Sequence, residues 1–275
     1  MQKANPFVAI ALLLTFCCHH ATTYSQQWII VFDLTNTLLR VDEQSIEGEV
    51  PGFTAGLAYT IWNLSANPRG EIEKKFRKLL ESLNGPQQGA DHQLVRGQDH
   101  HRLPLVLLNW LSGNISGYEI VQRIKSKTNY KIFVKIAETI FNAELVAKHT
   151  HATPGAPAFV EQCVRLVGSQ HLYIAANWEQ ASLSYIAGAK PFFRYIPAHQ
   201  RLISGTTHKL LPRDAEAVAQ IISERSGSSR DHIIFVSAMP YHIQAMSGTG
   251  VNAILVHQGN LPDALNRINI LVQAR

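Results

Sequence analysis

Length, composition and charge place the chain among folded proteins and exclude several other classes. Its 275 residues are 46% hydrophobic and 16% charged, which is typical of a globular protein and not of a disordered one. This length accommodates an α/β core of about 100–200 residues with a smaller insertion. The formal net charge of +5 comes from Lys and Arg residues that are scattered, apart from the segment Glu71–Lys78. We therefore expect no nucleic-acid partner.

The N-terminal segment has the pattern of a targeting signal. Lys3 precedes an unbroken apolar run from Pro6 to Cys18. This run is shorter than the roughly 20 residues that cross a bilayer, and it matches the core of a secretory signal peptide. We predict that residues 1–25 are a signal peptide and that the protein is exported, to a periplasm or to the medium. No stable membrane span is expected after cleavage; a buried N-terminal helix is the alternative.

The three cysteines refine this picture. Cys17 and Cys18 raise the alternative of a lipid anchor, but Phe16 is bulky where a small residue is needed before a lipidated cysteine. Once the signal is removed, Cys163 is the only cysteine, so no intramolecular disulfide is possible. Cys163 lies on an apolar helical face, and we expect a buried, unreactive thiol.

The remaining chain alternates between two patterns. The apolar run Trp28–Phe32 predicts a strand buried on both faces, as in the middle of a parallel sheet. Residues 44–150 show helical periodicity without a convincing strand. From residue 151, strands and helices alternate again. We predict an α/β fold with a doubly wound parallel sheet formed by residues 26–43 and 151–275, and an all-helical insertion at 44–150.

Particular elements follow from shorter patterns. Ser116 and Glu119 form a capping box, and Asn129–Lys148 is predicted as one longer helix. The other predicted strands of the core are His171–Ala176, Arg201–Ser204, His232–Val236 and Val251–Val256. In such sheets a ligand binds at the carboxyl ends of the strands. Asp33, Asn177 and Ser237 lie at or just after strand ends, so we expect them to converge.

The segment Ile29–Leu38 resembles the first motif of the haloacid dehalogenase (HAD) superfamily, an apolar strand followed by Asp-x-Asp-x-Thr and Leu. The helical block resembles the cap insertion of one branch of that superfamily. Later landmarks of the family match Pro154-Gly155, Asn177, Leu211-Pro212 and Ile233–Ser237 in order. The resemblance covers nearly all of the chain after the signal. It implies a Rossmann-like HAD core with a helical cap.

The resemblance also implies a chemistry. In the family, an aspartate attacks phosphorus and forms an aspartyl phosphate that water cleaves, with Mg²⁺ neutralising the charge. Carried onto this sequence, the catalytic residues are Asp33 as nucleophile, Thr35 at the acid/base position and Lys209 as the phosphate-binding cation. The substrate-binding residues are Thr37 and Asn177, and the metal ligands are Asp33, Thr35 through its carbonyl, and Ser237. The cofactor is Mg²⁺, and the partner is a small phosphorylated molecule.

The sequence departs from the family motifs at the acid/base and metal positions. Thr35 replaces an aspartate and cannot ionise near neutral pH, which slows hydrolysis of an aspartyl phosphate. Ser237 and Ala238 stand where paired acids are usual, and a neutral hydroxyl is a weak ligand for a hard cation. We therefore expect weak or absent Mg²⁺ binding.

The phosphate-binding positions depart as well. Ala176 replaces a hydroxyl residue before Asn177, and the family's Lys-Pro is Leu211-Pro212 here. Lys209, two residues earlier, is the candidate for the missing charge, whereas Lys190 comes too early in the chain order.

Three hypotheses follow from these observations. The first is an exported Mg²⁺-dependent phosphomonoesterase with weak or lost turnover. The second is a non-catalytic protein that binds a phosphorylated ligand or a protein partner. The third is dehalogenase chemistry, which needs no metal. The histidines of the loops, including His149 and His151, lack metal-site spacing and are expected to be solvated. Fold analogy does not decide among the three.

Overall fold

A five-stranded parallel sheet lies at the centre of the protein. The computed structural model describes residues 27–42, 71–83 and 103–274, so the predicted signal peptide lies outside the described residues. The strands run in the order β5-β4-β1-β6-β7, and every neighbouring pair is parallel. The strands are β1 (Ile29–Phe32), β4 (Leu172–Ala176), β5 (Arg201–Ile203), β6 (Ile233–Ser237) and β7 (Asn252–Leu255). The predicted α/β class and parallel sheet are confirmed.

The central strand β1 is covered on both faces, which explains its unbroken apolar sequence. All four of its side chains have an exposed fraction of 0%. Ile30 and Phe32 belong to one core cluster, while Ile29 and Val31 belong to the cluster on the other face. Because successive side chains of a strand point to opposite faces, this division indicates that helices pack on both sides.

Five helices supply those two layers. The layer on the Ile30 face contains α6 (Ala156–Val167), α7 (Gln180–Ala189) and α11 (Leu261–Gln273), and the other layer contains α9 (Ala215–Ser226) and α10 (Pro240–Ser247). Cys163 of α6 is buried, and burial raises the pKa of its thiol to about 12. The prediction of a buried thiol is confirmed.

A separate group of helices lies between two short strands, β2 (Leu39–Val41) and β3 (Thr150–Ala152), which pair in antiparallel fashion. These helices are α1 (Glu71–Ser82), α2 (Leu105–Leu111), α3 (Gly117–Lys127), α4 (Lys131–Ile140) and α5 (Ala143–Lys148). They share an apolar cluster of their own. No strand occurs in the described part of this segment before Thr150. We refer to helices α1–α5 as the cap; the cap domain and its limits 44–150 stay a prediction.

Three details of the cap bear on the sequence analysis. The capping box of Ser116 and Glu119 is present. The single helix predicted over Asn129–Lys148 is wrong, because the chain breaks at Asn142, whose side chain caps α5 by accepting from two backbone N–H groups. The pair β2–β3 was not predicted, since neither strand contains an apolar run. No helix in the described ranges is long and apolar enough to cross a bilayer.

Candidate active site

Polar side chains gather at the carboxyl ends of β1, β4 and β6. Asp33 directly follows β1, Ser237 ends β6, and Asn177 follows β4. Because parallel strands end at the same edge, these residues come to one side of the sheet, as expected. Asp33 and Ser237 are in direct contact, whereas Asn177 is bonded elsewhere.

The Asp33 carboxylate is completely buried, with an exposed fraction of 0%. Its Oδ1 accepts a hydrogen bond of 2.7 Å from the backbone N–H of Leu34. Its Oδ2 accepts two more, each of 2.7 Å, from the Ser237 hydroxyl and from Nδ1 of His242. Three donors therefore satisfy this carboxylate, as a buried charged group requires.

His242 is the residue that connects this site to helix α10. It lies in the first turn of α10, its exposed fraction is 3%, and it shares the buried side of that helix with Met246. A carboxylate only accepts, so we assign the hydrogen to Nδ1. The Ser237 hydroxyl, in turn, accepts from the Met239 N–H at 2.9 Å. The network thus joins the end of β1, the end of β6 and the start of α10.

The loop after Asp33 is fixed by Thr37. The Thr37 hydroxyl donates to the Thr35 carbonyl at 3.3 Å and accepts from the Ala238 N–H at 2.8 Å. Asn36 adopts a left-handed conformation with φ 57°, which an asparagine tolerates. Thr37 therefore braces the loop against the residues after β6, and the Thr35 carbonyl already has a donor.

Asn177 and Lys209 do not join Asp33. The Asn177 amide donates to the Leu211 carbonyl at 2.6 Å and accepts from the Leu211 N–H at 2.8 Å. This pair holds the segment that precedes Pro212. Lys209 is exposed, and among the described residues it forms no hydrogen bond with Asp33.

Lys209 instead contributes to lowering the pKa of the Asp214 carboxyl. Burial raises the pKa of Asp214, but hydrogen bonds from Arg213 and from the Leu210 N–H, with the charges of Arg213 and Lys209, bring it below its ordinary value. The contribution of Lys209 is the smallest of these. The described structure therefore places this lysine near an acidic side chain of the following turn and not at the Asp33 carboxylate.

The sequence analysis did not single out His242. The loop histidine His149 was expected to be solvated, and that expectation is wrong because His149 is buried; His242, outside that expectation, is buried too. A signal was present, because His242 follows the end of β6 by five positions and shares a helical face with Met246. Residues in the first turn after a strand return to the sheet edge, where the site forms.

The residues present do not fit Mg²⁺. This cation needs oxygen lone pairs in octahedral arrangement. Both Asp33 oxygens accept from protein donors, the Ser237 hydroxyl is directed at Asp33, and the Thr35 carbonyl accepts from Thr37. Within the described ranges, no group of three His, Cys, Asp or Glu side chains is placed to hold a metal ion. A histidine N–H donates to Oδ2 of Asp33, and this is the single carboxylate of the site, where a hard cation needs several oxygen ligands.

The cap is bonded to the core beside this edge. The Ser204 hydroxyl, in the short helix α8 (Ser204–Thr207), donates to the Leu111 carbonyl at 2.7 Å. Nδ1 of His208 lies 2.6 Å from the Ser112 carbonyl. The backbones approach closely here: a Cβ added to Gly113 would lie 2.5 Å from the Gly205 carbonyl oxygen. The carboxyl end of α2 is therefore held against α8 by hydrogen bonds and by close packing.

Solved structures of other proteins have a similar fold. A HAD-family enzyme of Bacteroides thetaiotaomicron in a magnesium complex is 12% identical, with a TM-score of 0.52, covering 88% of this chain and 100% of that one. The wild-type form of that enzyme, with magnesium and inorganic phosphate, has a TM-score of 0.50 at 12% identity, covering 85% and 96%. A dehalogenase with an intermediate complex has a TM-score of 0.50 at 15% identity, covering 86% and 87%. No family model and no curated protein matches the chain in sequence.

The chain therefore has the HAD-like hydrolase fold, a Rossmann-like α/β core, as the motif at Asp33 indicated. At these identities the likeness concerns the fold alone. Neighbours with this fold are crystallised with magnesium and with phosphate, which is a fact about those proteins.

Proposed function

We propose that this chain is a HAD-fold protein that no longer transfers phosphoryl groups and acts by binding. The observation that carries the proposal is the state of Asp33, whose fully buried carboxylate accepts from Leu34, Ser237 and His242. A nucleophile needs a free lone pair in line with the phosphorus. Here three of the roughly four lone-pair sites of the carboxylate accept protein donors that join the sheet to helix α10.

The other predicted positions support the same proposal. Thr35 cannot relay a proton near neutral pH, and its carbonyl accepts from Thr37. The Asn177 amide, expected to bind phosphate, is taken by the Leu211 backbone. Asp33, the Thr35 carbonyl and the Asn177 amide therefore each have a structural partner in this chain, and Lys209 lies away from Asp33. The fold and its cap remain, and we assign to them the recognition of a ligand or of a protein partner.

Turnover of p-nitrophenyl phosphate tests this proposal. We expect the purified full chain to show no turnover above background in 5–10 mM Mg²⁺, on the order of common assay conditions, and no change on adding EDTA. The Asp33→Asn variant serves as the matched control for any residual signal. Turnover that needs both Mg²⁺ and Asp33 would overturn the proposal.

A second candidate is hydrolysis through an ester on Asp33 without a metal. The Asp33 carboxylate is held by a serine hydroxyl and a histidine N–H, an arrangement that needs no cation, and a dehalogenase shares the fold. In that reaction the carboxylate displaces a halide from carbon, and water then cleaves the ester. Release of chloride from 2-chloropropionate, lost in Asp33→Asn, would favour this candidate over a binding role.

Export of the protein is also part of the proposal. It is supported by Lys3 and the apolar run Pro6–Cys18. In an exported protein without a disulfide, the fold is stabilised by burial and by networks such as the one around Asp33.

A further inference from the structure

The cap presents a group of exposed lysines whose charges are not neutralised. They lie on helix α1 and around the turn between α3 and α4, and they are Lys75, Lys78, Lys127, Lys131 and Lys135. Among the described side chains, no acidic group forms an ion pair with any of them. Neighbouring cations of the cap are neutralised, as Lys74 is by Glu71 and Lys125 by Glu138.

Lysines of this group that share a helix also share a face of it. Lys131 and Lys135 are four residues apart on α4, and Lys75 and Lys78 are three residues apart on α1, so the side chains of each pair are neighbours. Like charges at these spacings repel and destabilise a helix. A partner with negative charge would relieve both pairs. The charges therefore favour an anionic partner for this surface.

Aromatic contacts bring the two sets of lysines to one region of the cap. The ring centroid of Phe133 in α4 lies 5.8 Å from that of Phe76 in α1 and 5.7 Å from that of Tyr130. Phe76 and Phe133 are buried, but Tyr130 is 70% exposed and directly precedes Lys131. Ile72, one turn before Phe76, is 41% exposed. The lysines therefore flank exposed apolar side chains.

We propose that this surface of the cap binds the anionic headgroups of a lipid bilayer. Lysine is a compact, strongly hydrated charge that suits a diffuse layer of headgroups, whereas protein interfaces are enriched in arginine and depleted in lysine. All the cations of this group are lysines. Tyrosine is enriched at the headgroup level of membranes, because its ring is apolar and its hydroxyl is polar. Tyr130 supplies the apolar contact, and the lysines supply the attraction.

Sedimentation of the full chain with lipid vesicles tests this inference. We expect binding to vesicles of phosphatidylcholine and phosphatidylglycerol at a ratio of about 2:1 in about 0.1 M salt. This binding should be lost in about 1 M salt, because the screening length falls from about 10 Å to about 3 Å. The apolar run Pro6–Cys18 would also bind pure phosphatidylcholine vesicles, so the difference between the two kinds of vesicle measures the contribution of the cap.

Variants separate this surface from the overall positive charge. The double variant Lys131→Gln/Lys135→Gln should bind the anionic vesicles about 25-fold more weakly, since each lysine near an anionic membrane contributes about 5-fold. The control Arg165→Gln/Arg267→Gln removes two exposed charges from the core helices α6 and α11 and should bind within about 2-fold of the wild type. Tyr130→Ser should weaken binding in about 0.1 M salt, and Tyr130→Trp should retain it.

The inference is overturned if the wild type binds the anionic vesicles no better than pure phosphatidylcholine, or if the double lysine variant binds as well as the arginine control. Binding of the wild type to polyglutamate but not to the anionic vesicles would also overturn it, and would assign the lysines to an acidic protein partner. Turnover of p-nitrophenyl phosphate is measured separately, so the outcome is independent of the proposal on Asp33.

Discussion

Three hydrogen bonds converge on Asp33 and tie together three segments of the chain. Leu34 belongs to the loop after β1, Ser237 to the end of β6, and His242 to helix α10. Hydrogen bonds to a charged group contribute about 1.5–3 kcal/mol each, and removing one partner leaves a buried charge unsatisfied. Asp33 therefore has the surroundings of a carboxylate that stabilises the fold.

The first prediction concerns His242. His242→Leu removes the donor to Asp33 and should lower the free energy of unfolding by about 2–3 kcal/mol. His242→Asn retains an N–H donor in a similar place and should lose less than His242→Leu. Urea unfolding followed by circular dichroism gives both values. His257→Leu, at an exposed position, is the control and should change stability by less than about 0.5 kcal/mol.

If His242→Leu is as stable as the control, the bond to Asp33 contributes nothing. The geometry of the site would then not explain why the carboxylate is buried.

The second prediction concerns the lost metal site. Ser237→Asp would place a second carboxylate beside Asp33, and two buried like charges repel. We expect a loss of about 3 kcal/mol or more, partly restored by millimolar Mg²⁺, which neutralises the pair. Thermal unfolding with and without Mg²⁺ measures this effect.

Ser237→Asn is the matched neutral control, and it should show no response to Mg²⁺. The wild type should show none either. A rise in wild-type stability with Mg²⁺ would mean that the native residues already hold the cation.

Part of this site was predictable from residue types, and part was not. The proximity of Asp33 and Ser237 follows from their positions at the ends of two parallel strands. The positions of Asn177 and Lys209 depend on the backbone before Pro212, whose path no local pattern encodes. His242 was missed because a single histidine in a short helix matches no motif; its position five residues after β6, on one helical face with Met246, was the available signal.

Helices α2 and α8 meet where the cap joins the core. The Ser204 hydroxyl bonds the Leu111 carbonyl, and Gly113 contacts the Gly205 backbone too closely to admit a side chain. Both bonded groups of the first contact are buried. This junction therefore holds α2 in one position against the core.

The third prediction tests this junction. Gly113 and Gly155 both have left-handed φ angles, 71° and 81°, so alanine at either position carries backbone strain of about 1–2 kcal/mol. An added Cβ meets nothing within 4 Å at Gly155, but lies 2.5 Å from the Gly205 oxygen at Gly113. Gly113→Ala should therefore lose at least about 1–3 kcal/mol more than Gly155→Ala.

Urea unfolding of the two variants gives the difference directly, because the strain term is shared. Equal losses in the free energy of unfolding would show that the backbone near Gly205 moves to accept the added Cβ without an energetic penalty. The close contact between α2 and α8 would then not fix the position of the cap.

Elements of the core were predictable because short apolar runs alternate with helical segments along this part of the chain. The five core strands lie within one or two residues of their predicted limits, since continuous apolar runs such as Ile233–Ser237 are unambiguous between helices. The strands β2 and β3 were not predictable, because neither contains an apolar run and each is stabilised by pairing with a segment more than 100 residues away. The break at Asn142 was missed because the apolar positions continue through it.

The whole molecule has two edges of different character. At the carboxyl edge, polar groups bond one another, with Asp33 at their centre. At the amino edge, Tyr173, Gln200 and Arg225 line an open groove.

The fourth prediction concerns the residues before the sheet. We expect the exported protein to begin between about Ala21 and Gln27, because Trp28 directly precedes the central strand. N-terminal sequencing of protein recovered outside the cytoplasm provides the measurement. Recovered protein that still begins with Met1 would remove the signal-peptide prediction.

The stability of Asp33→Asn tests the central claim most directly. Asparagine has nearly the same shape, but it removes the charge and places an N–H₂ group against donors. If Asp33 is a structural carboxylate, Asp33→Asn should lower the free energy of unfolding by about 3–5 kcal/mol. The control Asp263→Asn, at an exposed position, should lie within about 1 kcal/mol of the wild type. A catalytic carboxylate predicts the opposite, since active-site charges are commonly kept at a cost to stability. An Asp33→Asn variant as stable as the wild type, or more stable, would contradict the account.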